Sequence, residues 1–123
     1  MKNLTESAYA AMRIAFGALF WFHGAQKLFG MFGSEARAFG SQLWFAGVIE
    51  VGAGVLIALG VFTPWIALLA AAEMAYAYAT SHAPRHTWPI QNGGELAALY
   101  FFAYLFVAAR GGGPFSIDAL IRK

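Results

Sequence analysis

Four stretches of this 123-residue chain, residues 8–29, 43–60, 64–81 and 94–110, carry no more than two charged side chains each. Each is about as long as one helical bilayer crossing, which takes roughly 17–25 mostly apolar residues. A small water-soluble domain cannot bury four such runs, because a short chain encloses little interior relative to its surface. Composition agrees: 60% of the residues are hydrophobic and 11% are charged, against about 25% charged in an ordinary soluble domain. In lipid the outward faces are apolar too, and helices satisfy their own backbone polar groups. The expected fold is all-α: an integral membrane antiparallel four-helix bundle forming a single domain over residues 1–123.

The connections suit helices. Gly60-Val61-Phe62-Thr63-Pro64 reads as a tight turn, with Gly60 ending one helix, Thr63 as the next N-cap and Pro64 in first helical position. Gly30 ends the first helix. Asn92-Gly93-Gly94-Glu95 has the spacing of a capping box. Residues 31–42 contain a short amphipathic stretch (Glu35, Arg37, Phe39), and residues 81–91 contain Pro84 and Pro89, predicting an irregular loop at the interface. After the Gly111-Gly112-Gly113-Pro114 break, Ser116 starts a short surface helix anchored by Phe115, Ile117, Leu120 and Ile121. A cleaved signal peptide is not expected, since Arg13 interrupts the first run and no small-residue cleavage site follows Phe22. Trp21, Trp44, Trp65 and Trp88 fall near helix ends or loops, as interfacial belt residues do.

Net charge is +2, and five of the eight basic residues sit near the expected membrane edges, so nucleic acid is not an expected partner. With an even number of spans, both termini share a side. That side holds Lys2, Arg110, Arg122 and Lys123, with Arg13 close behind; the other holds Lys27, Arg37 and Arg85. The bias places both termini in the cytoplasm, in a bacterial cytoplasmic (inner) membrane. The chain has no cysteine, which excludes disulfides, thiol redox chemistry and thiolate metal sites within it.

Ionisable residues inside spans are expensive and face a bundle interior or a partner. In an antiparallel bundle His23, Lys27, Glu50, His82 and Glu95 fall toward one leaflet. His23 and Glu50 both lie roughly 10 Å below that surface at 1.5 Å per residue. His23 and Lys27, spaced i, i+4, share a helix face that also carries small residues. A pocket there, near the outer leaflet, would be walled by Phe20, Phe22, Trp44, Phe45 and Tyr76. Arg13 and Glu73 are expected to form a separate, structural ion pair, and no metal site is expected. Bland readings stand beside these: Lys27 can snorkel to headgroups, Glu95 can serve only as a cap, and a Lys27–Glu50 pair can simply fix helix pairing. His82 and His86 lie in a Pro-containing loop and would need tertiary convergence to bind a metal.

The order and spacing of several motifs resemble the DoxX family of small four-helix membrane proteins. These are Arg13, Phe22-His23-Gly24-Ala25-Gln26-Lys27-Leu28-Phe29-Gly30, Leu43-Trp44-Phe45-Ala46-Gly47-Val48-Ile49-Glu50, and the Gly60…Thr63 turn. Ala75-Tyr76…His82, Asn92-Gly93-Gly94-Glu95 and Gly113-Pro114…Ser116-Ile117-Asp118 follow. The resemblance spans nearly the whole chain. It implies a membrane component of an oxidoreductase system, such as one subunit type of a thiosulfate:quinone oxidoreductase, and it maps the family's motif positions onto His23, Lys27, Glu50, His82 and Glu95. Quinone is the ligand it implies, with no intrinsic cofactor; the implied partners are the lipid bilayer, a redox subunit and further copies of the chain. Two alternatives stand beside it: a non-enzymatic membrane scaffold, and a transporter of small molecules or protons. Whether the chain itself is an enzyme is left open.

Overall fold

The computed structural model describes residues 2–122, which form helices and no strand. Helix α1 spans Lys2–Phe29, α2 Gln42–Leu59, α3 Thr63–Ala77, α4 Pro89–Asn92, α5 Glu95–Arg110 and α6 Ile117–Ile121. A π-helical turn, Tyr78–His82, continues α3. The four long helices lie within a residue or two of the four apolar runs, except that α1 starts earlier and α3 proper stops at Ala77. Among the described residues, α2 is the one helix both long and apolar enough to cross a membrane by those criteria. At 15 and 16 residues, α3 and α5 fall below that length. Lys123, counted above with the basic residues of one end, lies outside the described residues.

Helix α1 packs most extensively on α2, and α3 on α5, with α2 bridging to α3. The α1–α2 seam depends on glycine. A Cβ on Gly24 would stand 2.6 Å from the Val51 amide nitrogen, and one on Gly17 would stand 2.7 Å from Ala58 N. Gly54 faces the Gly17 carbonyl equally closely. The seven-residue spacing of Gly17 and Gly24, repeated by Gly47 and Gly54, lets the two backbones touch along their length. The α3 side of the core is built from Ala67, Ala70 and Ala71, all essentially buried. Phe20, Tyr100 and Tyr104 cluster across it, with Phe20–Tyr104 ring centroids 5.0 Å apart. Tyr104 also donates its hydroxyl hydrogen to the Phe16 carbonyl at 2.8 Å, so α5 is tied to α1.

Helix ends follow local chemistry, with two departures from the sequence expectation. Gly60 closes α2 in the left-handed region at φ 75°, its N–H reaching the Leu56 and Ile57 carbonyls. Ser116 caps α6 by accepting from Ala119 N. Thr63, however, is already inside α3, and the cap before it is Phe62, itself left-handed. The free N–H groups of Phe62 and Thr63 donate instead to the two Asp118 carboxylate oxygens, at 2.8 and 2.9 Å. The capping box at Asn92–Glu95 does not form either. Helix α5 begins at Glu95 itself, and Asn92 Oδ1 accepts from Gly94 N at 2.8 Å, closing a tight turn ahead of the helix. Residues 31–40 form turns and no helix.

Candidate functional site

The glycine seam determines which side chains meet. Gly47 takes the Lys27 side chain against its own backbone, and one turn on, Lys27 Nζ donates to Glu50 Oε1 at 2.7 Å. This is a shielded pair, with side chains 20% and 3% exposed. From α3, Glu73 faces Glu50 within side-chain hydrogen-bonding reach. Its Oε1 is buried without a partner. Two carboxyl groups thus share the neighbourhood of one ammonium group. His23, one turn before Lys27, stands edge-on to the Tyr100 ring with centroids 5.9 Å apart.

These groups line a half-open cavity of about 310 Å³ between the second half of α1, the first half of α2, α3 and the start of α5. Lys27, Glu50, Glu73 and His23 supply its polar surface, and Phe20 and Tyr100 supply ring faces. The π-helical turn contributes the rim. Its i to i+5 bond, from Ala83 N to the Tyr78 carbonyl at 2.8 Å, inserts a residue into the helical register. Such insertions re-aim side chains and recur at functional sites. His82 reaches the cavity from this turn and is held there by a 3.2 Å contact between Nδ1 and the Asn92 carbonyl.

The structure therefore brings His23, Lys27, Glu50 and His82 to one cavity and adds Glu73. Glu95 is exposed and lies outside the cavity lining. The expected Arg13–Glu73 pair is not formed, because the Gly60–Phe62 turn folds α3 directly back along α2. Glu50 lies nine residues from the end of α2, and Glu73 ten from the start of α3, so they are level. Arg13 is level with Ile57, about 10 Å further along the axis. There its guanidinium donates to the carbonyls of Ile57, Ala58, Gly112 and Phe115 at 2.7–3.2 Å. Fully buried, it holds the end of α2 to the segment after α5.

The aromatic walls also differ from expectation. Phe22, Phe45 and Tyr76 are each 44–55% exposed and face outward, and Trp44 packs at a tilt against Phe39, outside the cavity lining. Phe20 does line it, together with Tyr100, which sequence reasoning missed. The available signal was the spacing of Ala97, Tyr100, Tyr104 and Val107, one buried face of α5. His86 is exposed and does not approach the cavity. Among the described residues, no three His, Asp or Glu side chains converge as a metal ion would require.

Outside the cavity the long helices present apolar side chains to their surroundings. Ile14 and Leu19 on α1, Val55 on α2, Leu68 on α3 and Phe102 on α5 are all 43–67% exposed. The fold and site together define a small all-helical protein with an ionic cluster set into an apolar body. A family model, DoxX, matches residues 8–83, more than half of the chain. The chain belongs to the DoxX family, whose members are membrane-associated and often linked to redox systems. It is also 36% identical over 116 residues to an uncharacterized protein of Haemophilus influenzae, a match covering 89% of this chain and 87% of that one. No solved structure matches.

Proposed function

We propose that this protein is the membrane component of a redox system and that its cavity holds a quinone-type ring. The observation that carries this reading is the pairing, in one cavity of about 310 Å³, of a charged end (Lys27, Glu50, Glu73) with ring faces from Phe20 and Tyr100. Small-molecule sites commonly combine apolar walls with a few convergent polar groups at about this size. His23 or Lys27 donates to a ring oxygen, and Glu50 exchanges protons with the aqueous side through the open mouth. The chain has no cysteine and no dinucleotide fingerprint, so the electrons come from a partner subunit or from the substrate itself.

In this reading the four long helices form a membrane bundle, with the π-helical turn lengthening α3 toward a full crossing and the outward apolar side chains meeting lipid. Both termini lie in the cytoplasm, and the cavity opens toward the outer leaflet of an inner membrane. The test is quinone binding and quinone-dependent activity of Glu50→Gln and His23→Ala. Loss of both in at least one variant is expected; unchanged values in both overturn the proposal. An intramembrane Lys–Glu–Glu–His set also suits a proton relay. Proton flux in proteoliposomes without any quinone would favour that second reading.

A further inference from the structure

We infer that Glu73 is the residue that selects the ligand, and that the preferred ligand presents a hydroxyl hydrogen: a hydroquinone or phenol ring rather than a quinone. The inference rests on the ring-binding reading of the cavity and specifies which chemical form occupies it.

The starting point is an imbalance among hydrogen-bonding groups. Lys27 is committed to Glu50 at 2.7 Å, and Glu50 is buried by α1 and α3. Glu73 stands next to this pair and lines the cavity, yet its Oε1 has neither solvent nor a hydrogen-bond partner. If Glu73 is ionised, both oxygens accept; if it holds the proton that joins it to Glu50, the other oxygen still accepts. A buried acceptor without a partner is destabilising, and a bound donor removes that cost. The last torsion of a glutamate is soft, so the carboxyl can turn either oxygen to the cavity wall without disturbing α3.

The two redox forms of a ring differ in this respect. A quinone oxygen only accepts, so it satisfies Lys27 or His23 and leaves Glu73 unmet. A ring hydroxyl both donates and accepts. It can donate to Glu73 while accepting from Lys27, matching both groups. Tyr100 and Phe20 offer their ring faces to either form equally, so discrimination falls on Glu73.

The experiment is calorimetric titration of the purified chain in detergent under argon with three rings of one scaffold: durohydroquinone, its dimethyl ether and duroquinone. Durohydroquinone should bind about tenfold more tightly than the other two, the scale of one hydrogen bond to a charged or desolvated acceptor. Glu73→Leu should bring the three affinities together, and Glu73→Gln, whose amide adds donors that a quinone or ether oxygen can meet, should shrink the preference. If no ring binds, both the ring-binding reading and this inference fail. If all three bind alike to the unsubstituted protein, the ring-binding reading stands and this inference fails. A full preference surviving in Glu73→Leu with an unchanged melting temperature also overturns it. Should Glu73→Leu not fold, Glu73→Gln decides, since its amide can donate to a quinone or ether oxygen as well as accept, and an undiminished tenfold preference there overturns the inference.

Discussion

Among the described residues two cations are held inside the bundle, Arg13 and Lys27, and they are satisfied in opposite ways. Arg13 meets no carboxylate; its guanidinium is matched by four backbone carbonyls from the end of α2 and the segment beyond α5. Two of those carbonyls belong to a helix C-terminus, where aligned peptide dipoles favour positive charge. Every donor direction it uses ends on main chain, leaving no room for a ligand. Lys27 meets a side chain, Glu50, and beside it stands a second carboxyl group bordering a cavity. A cation saturated by backbone fixes the fold, whereas a cation in a side-chain cluster with one acceptor left over is where binding can occur.

The comparison can be attacked directly. Arg13→Met should have the largest effect, about 3–5 kcal/mol, because four buried carbonyls lose a charged donor at once. Arg13→Lys should rescue little, since an ammonium lacks the planar fork. Thermal melting in detergent measures both, and a melting temperature within a degree or two of the unsubstituted protein would refute the structural role. Glu50→Leu should cost less, about 1–3 kcal/mol, because Glu73 is at hand to pair Lys27. The double change Lys27→Met with Glu50→Leu should recover much of that stability while abolishing ring binding. A double variant that still binds would place the ligand elsewhere.

Next comes the seam that brings Lys27 to Glu50. Gly24→Ala forces a methyl group to within 2.6 Å of Val51 N and should cost about 1–3 kcal/mol. Gly52, on α2 with nothing near its missing Cβ, is the control. Gly52→Ala should stabilise by about 0.5–1 kcal/mol, and equal losses at the two sites would contradict the close packing of α1 on α2.

The smallest effect concerns Asp118. Burial pushes its carboxyl upward, but hydrogen bonds from Thr63 and Phe62, with a lesser pull from Arg122, hold it below the usual carboxylate range. A depressed value means that the stabilisation is complete above the ordinary aspartate range and is lost as pH falls through it and below. Asp118→Asn should cost about 1 kcal/mol at neutral pH, as for loss of a helix cap, and should flatten the acid side of the melting curve. An unchanged acid slope would show that the cap contributes nothing.

Much of this was legible in the chain. The boundaries of α2 and α5 follow from apolar run length and from Gly60 and Gly111. The placement of His23 level with Glu50, with Lys27 one turn nearer the helix end, follows from counting residues on either side of one connection. What misled was depth counted from span midpoints. It sets Glu73 in the middle of its run and nearer Arg13, whereas the short turn at Gly60–Phe62 brings Glu73 level with Glu50. Aromatic residues also resisted reading. In an apolar environment both faces of a helix are hydrophobic, so Phe22 and Tyr76 look no different from Phe20 and Tyr100 until the glycine and alanine faces fix which side is buried. The π-helical turn leaves no signal in YATSH, and Asp118 caps a helix 55 residues earlier, a relation that no local pattern records.

The latch around Arg13 also sets an order of assembly. Helices α1 and α2 can pair as soon as both exist, yet two of the four acceptors for Arg13, Gly112 and Phe115, and the Asp118 carboxylate that completes α3, all follow residue 110. Until those residues emerge from the ribosome, a buried guanidinium is half-satisfied and the first turn of α3 is uncapped. The bundle end therefore gains its full set of bonds only when the segment after α5 folds back across it.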